Sequence, residues 1–296
     1  MRILLFGAGA MSCLFAARLA RVAQVTLVDT WPEAVETIRA RGIVYEDSQG
    51  TQRVRVEAQS PDTDSDPVDL ALVLVKSWQT PWVARVLPKF LNPGGFALSL
   101  QNGLGNVEML GPQARPGTTS EGATLVNAGH VLAGGSGPTH VVAPDWVVDL
   151  MRAAGFEAYA CSAEEARNLL WSKLCVSCGI NALTALLRVP NGELLRRPPA
   201  ENLMIRAALE CAAVAGAAGI RLRFEDAAAQ VKQVAEKTAG NKSSMLQDIL
   251  RGAPTECDAI NGAVVREGRR VGVATPVNEI LWQMIQSAAY PYRSVL

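Results

Sequence analysis

The hydrophobic pattern of this chain changes its period near residue 162, and no single architecture accommodates both patterns. Up to about Cys161, short β-rich runs alternate with helical stretches, as in a mainly parallel sheet covered by helices. Residues 3–6, 24–28, 70–75 and 96–100 are apolar runs bounded by turn residues, as strands buried on both faces are. Helices are expected over residues 11–22 and 32–41, the second opening on a proline suited to a first helical position. Residues 60–66, rich in Ser and Asp, read as a surface loop before a strand. Beyond Ser162 the chain turns Ala- and Leu-rich with almost no β signal. Helices are expected there over 163–187, 200–219, 225–239 and 256–272. Thr255, followed by Glu256 and three residues later by Asp258, reads as a capping box, and Thr275-Pro276 as the start of a last helix. The expectation is an α/β domain over residues 1–162 and an all-helical domain over 163–296, a division that 296 residues favour.

Composition narrows the partners. Twenty-eight basic side chains cancel twenty-eight acidic ones, so no global field gathers nucleic acid or an anionic membrane surface. Uninterrupted apolar runs such as 70–75 and 212–218 fall short of the ~20 residues that cross a bilayer, so no membrane span is expected. Met1-Arg2 leads straight into an apolar strand without the pattern of a secretory signal, which points to the cytoplasm. Six scattered cysteines, mostly in apolar helical patterns, suit buried reduced thiols. Cys175 and Cys178 have redox spacing, but lie within a helical pattern rather than opening a helix after a strand. With only His130 and His140, no metal site is implied.

Gly7-Ala8-Gly9-Ala10-Met11-Ser12 follows the first strand and opens the first helix, where the pyrophosphate of a dinucleotide needs close backbone approach and free N–H groups. Ser12 stands at the third glycine position of that motif, whose task is helix–strand packing. Asp29, ending the second strand, is placed to accept bonds from an adenosine ribose and to repel a 2′-phosphate; a solvated acid or helix cap is the alternative. The following residues hold no arginine before Arg39, which favours NADH over NADPH. Lys76 and Gln101-Asn102-Gly103 follow strands at the carboxyl edge, where open α/β sheets bind ligands. In the helical half Lys173, Ser177 and Asn181 recur every four residues in an apolar segment and line one helix face, either solvated or turned to a cavity. Asn241, Ser243, Ser244 and Thr255-Glu256 bring amide and hydroxyl groups near two expected helix starts.

Taken together, Gly7-Ala8-Gly9-Ala10, Val75-Lys76, Gln101-Asn102-Gly103, Lys173-Leu174 with Asn181, residues 190–194 (Pro-Asn-Gly-Glu-Leu), residues 243–248 (Ser-Ser-Met-Leu-Gln-Asp) and Thr255-Glu256 resemble ketopantoate reductase (2-dehydropantoate 2-reductase) from end to end. The resemblance implies a Rossmann-type dinucleotide-binding domain followed by an all-helical domain of the 6-phosphogluconate dehydrogenase C-terminal-like kind. It implies reduction of a 2-oxo acid by NADPH, on the route to pantothenate and coenzyme A. Lys173 would be the general acid and Glu256 would orient substrate or lysine. Asn102, Ser177, Asn181, Asn241 and Ser244 would meet the substrate. Gly7, Ala8, Gly9, Ala10, Met11, Asp29, Lys76 and Asn102 would meet the cofactor. Two positions depart from the family pattern. Ser177 replaces an asparagine one helical turn after the lysine, which opens the alternative of another branched 2-oxo acid. Asp29 replaces a basic or small polar residue, which argues for NADH. A dinucleotide-binding redox sensor without catalysis is a further alternative. Such families include monomers and dimers, and the Ala-rich helices leave a homodimer open.

Overall fold

The computed structural model describes residues 1–289, which pack as two compact units: residues 1–101 with 106–166, and residues 102–105 with the chain from Arg167 on. The first unit runs β1 (Arg2–Phe6), α1 (Ala10–Leu19), β2 (Gln24–Val28), α2 (Pro32–Arg41), β3 (Ile43–Asp47), β4 (Gly50–Val54), β5 (Glu57–Gln59), β6 (Val68–Val73), α3 (Thr80–Phe90), β7 (Leu91–Ser99), α4 (Asn106–Leu110), β8 (Ala114–Thr119), β9 (Ala123–Asn127), β10 (His130–Ala133), β11 (Thr139–Val141), α5 (Asp145–Ala153) and β12 (Ala158–Ala160). Its main sheet has the order β12-β11-β8-β7-β6-β1-β2-β5, with every neighbouring pair parallel except β8 and β11. Read from β5 to β8, this is the doubly wound Rossmann order, with the strand succession reversing beside β1. Of the strands nearest that reversal, β1 and β6 each expose one residue and residues 96–99 of β7 are all buried, as in central parallel strands covered on both faces.

A second sheet, β4-β3-β10-β9, is added to this plan. Its strands lack a clean apolar signal: β4 (Gly-Thr-Gln-Arg-Val) is exposed over four of its five residues. Helix α3 also goes beyond the sequence expectation. Pro81 and Pro88 obscure it, yet Val83, Leu87 and Phe90 form a buried stripe at helical spacing.

The second unit is helical, with α6 (Ala163–Leu187), α7 (Pro198–Ala217), α8 (Ala227–Lys237), α9 (Ser244–Leu250), α10 (Asn261–Val271) and α11 (Pro276–Ala289). Helix α6 has the length and hydropathy of a membrane span, although polar residues interrupt its apolar runs; 61% of its most apolar stretch is buried within the protein, as a core helix requires. The capping box expected at Thr255 does not form. Residues 256–260 make successive tight turns and α10 begins only at Asn261, while Asp258 pairs with Arg266 at 3.2 Å. Glu256 is buried in that turn instead of facing water at a helix start.

No cysteine is paired. Cys13, Cys175, Cys178, Cys211 and Cys257 are buried, and burial pushes the thiols of Cys13 and Cys257 up to about 12, far from the thiolate that redox chemistry needs. Cys175 and Cys178 lie inside α6 with their Sγ atoms on the carbonyls of Ala208 and Ala207.

Candidate active site

In the first unit the carboxyl edge of the sheet carries the candidate dinucleotide residues. Gly7 leaves β1 at φ +119°, and a Cβ there would collide with Ser12 Oγ, so only glycine permits the turn. Ser12 is fully buried, consistent with a packing role at the third glycine position. Gly9 is the N-cap of α1 and supplies no side-chain cap, and the space where its Cβ would stand holds nothing within 4 Å. The first turn of α1 therefore has no side-chain cap on its N–H groups and open space beside Gly9. That arrangement fits a pyrophosphate.

Asp29 is only 5% exposed. Its Oδ2 accepts the Ala8 N–H at 2.5 Å and its Oδ1 accepts the Trp31 N–H at 2.9 Å. Burial raises the carboxyl's pKa, opposed by the N–H groups of Trp31, Ala8 and Thr30. The acid thus ties the end of β2 to the glycine turn, and both oxygens keep capacity for a second bond. Arg39 spends its Nε on Ala58 O at 3.1 Å. Lys76 follows β6 and opens a short 3₁₀ turn (Ser77–Gln79), where its N–H donates to Gln79 Oε1 at 3.2 Å. Gln101 proves to be internal: its Nε2 donates to Val75 O at 3.0 Å and to Thr80 Oγ1 at 2.8 Å, locking the end of β7 to the end of β6.

In the second unit Lys173, Ser177 and Asn181 lie on the partly exposed face of α6, while Leu174, Cys175, Cys178 and Ala182 fill the core behind them. Some of the Lys173 surface is accessible, yet the ammonium is densely surrounded by protein. Desolvation lowers its pKa from the ordinary 10.5 to about 8, against the opposing pull of the Glu256 carboxylate. Glu256, 4% exposed, accepts Asn102 Nδ2 at 3.2 Å. Residues 102–105 reach this acid by close approach. Leu104 N–H donates to Ala259 O at 3.0 Å, and a Cβ on Gly103, at φ +79°, would come within 2.7 Å of Ala259 Cβ. The glycine of Gln-Asn-Gly is thus what lets Asn102 meet Glu256.

The remaining motifs are braces. Asn191 N–H donates to Asn241 O at 3.0 Å and its Nδ2 to Thr238 Oγ1 at 2.9 Å. Gly192 N–H donates to Ala239 O at 3.0 Å, where a Cβ on Gly192 would stand 2.5 Å from Ala239 Cβ. The Pro-Asn-Gly-Glu-Leu run thus fixes the exposed Asn241. Ser243 caps α9 by accepting Leu246 N–H at 3.1 Å, leaving Ser244 as the first helical residue. The structure brings Lys173, Glu256 and Asn102 together in one unit, and Asp29 with Ala8 in the other.

Family models described as Ketopantoate reductase PanE/ApbA and Ketopantoate reductase PanE/ApbA C terminal match residues 3–146 and 165–289. The chain belongs to the ketopantoate reductase family. It is 34% identical to the 2-dehydropantoate 2-reductase of Archaeoglobus fulgidus over 96% of this chain and 97% of that one. It is also 34% identical to that of Halobacterium salinarum, over 97% and 99%. Among solved structures, a PanE/ApbA family ketopantoate reductase from Ralstonia eutropha superposes with a TM-score of 0.89 at 30% identity, covering 98% of each chain. D-mandelate dehydrogenase with NADH and anilino(oxo)acetate superposes with a TM-score of 0.91 at 26% identity, again over 98% of each. The chain is therefore an oxidoreductase of a family that binds a nicotinamide dinucleotide, with a Rossmann-like α/β part and a helical C-terminal domain.

One residue near the ketopantoate reductase motif escaped the sequence reading. Thr184, three residues after Asn181, is buried and bonded to Ser243 Oγ at 2.7 Å. A hydroxyl in the apolar end of the helix, in phase with the polar stripe, is its mark in the sequence.

Proposed function

We propose that this enzyme reduces 2-dehydropantoate to (R)-pantoate in the biosynthesis of pantothenate and coenzyme A, with Lys173 as general acid. The observation that carries this reading is the Lys173 ammonium, desolvated to a pKa of about 8 beside the buried Glu256. A bound reduced nicotinamide supplies the hydride to the ketone carbon. Lys173 holds a proton opposite the oxygen on which charge grows, and an acid whose pKa lies near the working pH gives that proton up readily. Glu256, fixed by Asn102, holds the amine in place and favours its charged form. Asn102, Ser177, Asn181, Asn241 and Ser244 serve as substrate contacts. Gly7, Ala8, Gly9, Ala10 and Met11 cradle the pyrophosphate, with Lys76 and Asn102 toward the nicotinamide. Residues 1–162 act as the dinucleotide domain and 163–296 as the substrate domain. Six unpaired cysteines agree with a reducing cytoplasm.

NADH is the preferred cofactor in this reading. Asp29 would accept ribose hydroxyls and repel a 2′-phosphate, and the Nε of Arg39 is turned to Ala58 O. The deciding experiment follows oxidation of NADH and of NADPH by their absorbance with 2-dehydropantoate; absence of turnover with either refutes the proposal. A second reading, reduction of another branched or bulky 2-oxo acid, is favoured by Ser177 and by the likeness to D-mandelate dehydrogenase. A panel of 2-oxo acids separates the two by the position of the highest kcat/KM.

A further inference from the structure

Thr184 is fully buried on α6, and its Oγ1 lies 2.9 Å from Ile180 O, 3.0 Å from Asn181 O and 2.7 Å from Ser243 Oγ. Ser243, itself buried, already accepts Leu246 N–H at 3.1 Å. Each hydroxyl brings one proton, so the cluster can be written in two directions. If Thr184 donates to Ser243, the Ser243 proton has no acceptor in the cluster, an arrangement that a buried site disfavours. The satisfied direction runs from Leu246 N–H to Ser243 Oγ, from Ser243 O–H to Thr184 Oγ1, and from Thr184 O–H to the carbonyls of Ile180 and Asn181. The first turn of α9 is thereby fastened to the polar-stripe segment of α6 through two hydroxyl groups.

We propose that Thr184 is a positioning residue, whose bridge to Ser243 sets the separation between Asn181 and Ser244 and so the affinity for the 2-oxo acid. This rests on the reading of Asn181 and Ser244 as substrate contacts. Asn181 supplies a carbonyl to the Thr184 hydroxyl, and Ser244 directly follows Ser243, so both ends of the bridge are one step from a substrate group. Valine keeps the shape of threonine but can neither accept from Ser243 nor donate to α6. Thr184→Val strands the Ser243 proton in a buried site, and the relief open to it is a shift of the first turn of α9 away from α6. Thr184→Ser keeps the hydroxyl and the bridge.

The test uses the full chain, with steady-state kinetics on 2-dehydropantoate at saturating reduced nicotinamide, nucleotide Kd by fluorescence, and Tm. Thr184→Val should raise KM about tenfold while kcat and nucleotide Kd stay within about twofold, and Thr184→Ser should restore the wild-type KM. Ser243→Ala removes the other half of the bridge together with the α9 cap and should raise KM at least as much, so that an unchanged KM in this variant overturns the inference even if the valine variant does not fold. A fall in Tm in the folded variants with KM unchanged overturns the inference, because the bridge is then merely structural. Failure of the underlying reading looks different: wild-type protein that binds nucleotide but reduces no 2-oxo acid overturns both.

Discussion

The turn after β1 is made of main chain and the polar face of α6 of side chains, and the two tolerate change differently. At the turn, the shape comes from Gly7 at positive φ and from the empty space beside Gly9, with Asp29 holding the loop by its backbone N–H groups. On α6 the backbone is ordinary helix, and everything distinctive lies in Lys173, Ser177 and Asn181 and in Glu256, to which the Gly103–Ala259 approach brings Asn102. The first surface is damaged by adding atoms, the second by removing them.

The sharpest way to break this contrast is Lys173→Ala. Turnover of the 2-oxo acid should fall by ~10²–10⁴-fold while nucleotide Kd is unchanged, as a general acid requires. Intact turnover would remove Lys173 from the chemistry. The mirror experiment adds atoms at Gly9, whose φ of −80° and open surroundings accommodate a side chain. Gly9→Val should leave Tm near wild type and weaken nucleotide binding by about 10–100-fold, through displacement of phosphate from charge-assisted N–H bonds. Wild-type Kd in that variant would show that the cradle is not used. Asp29→Ala should weaken NADH by about tenfold and improve NADPH relative to it. An unchanged ratio of the two Kd values would refute the cofactor preference.

The smallest effect comes from pH. Lys173 loses its proton near pH 8 in the folded chain, below its ordinary 10.5. Reduction requires the charged amine, so kcat/KM for the 2-oxo acid should be about half its plateau near pH 8 and decline above it. Stability moves the other way. Between about pH 8 and 10.5 the unfolded chain binds more protons at this lysine than the folded one, so this contribution grows more favourable as pH rises. Lys173→Met should flatten this part of both profiles, read by kinetics and by denaturant titration.

The same contrast explains what the sequence could disclose. Helices α2 and α6 and strand β2 were legible end to end, and β1 to within one residue, because their apolar runs are bounded by turn residues or by a proline. The glycine turn was legible because main-chain geometry leaves a direct mark in glycine. The second sheet was not: β4 is mostly exposed, and β9 and β10 are short and mixed in polarity, so neither period nor composition marks them. Lys173 and Glu256 could be nominated, but the asparagine bonded to Glu256 arrives through residues 102–105 docking against Ala259, a contact that no local pattern records. The displaced start of α10 has the same origin. A buried acid held by a distant asparagine looks, in one dimension, like an ordinary capping residue.

The shielded thiols give the molecule a built-in clock. Cys13 lies in the sheet-bearing unit, whereas Cys175, Cys178, Cys211 and Cys257 lie in the helical one. A sulfhydryl reagent can reach each set only when the surrounding unit opens. Mass-resolved alkylation over time would therefore read the breathing of the two halves separately, in one tube and without any inserted label.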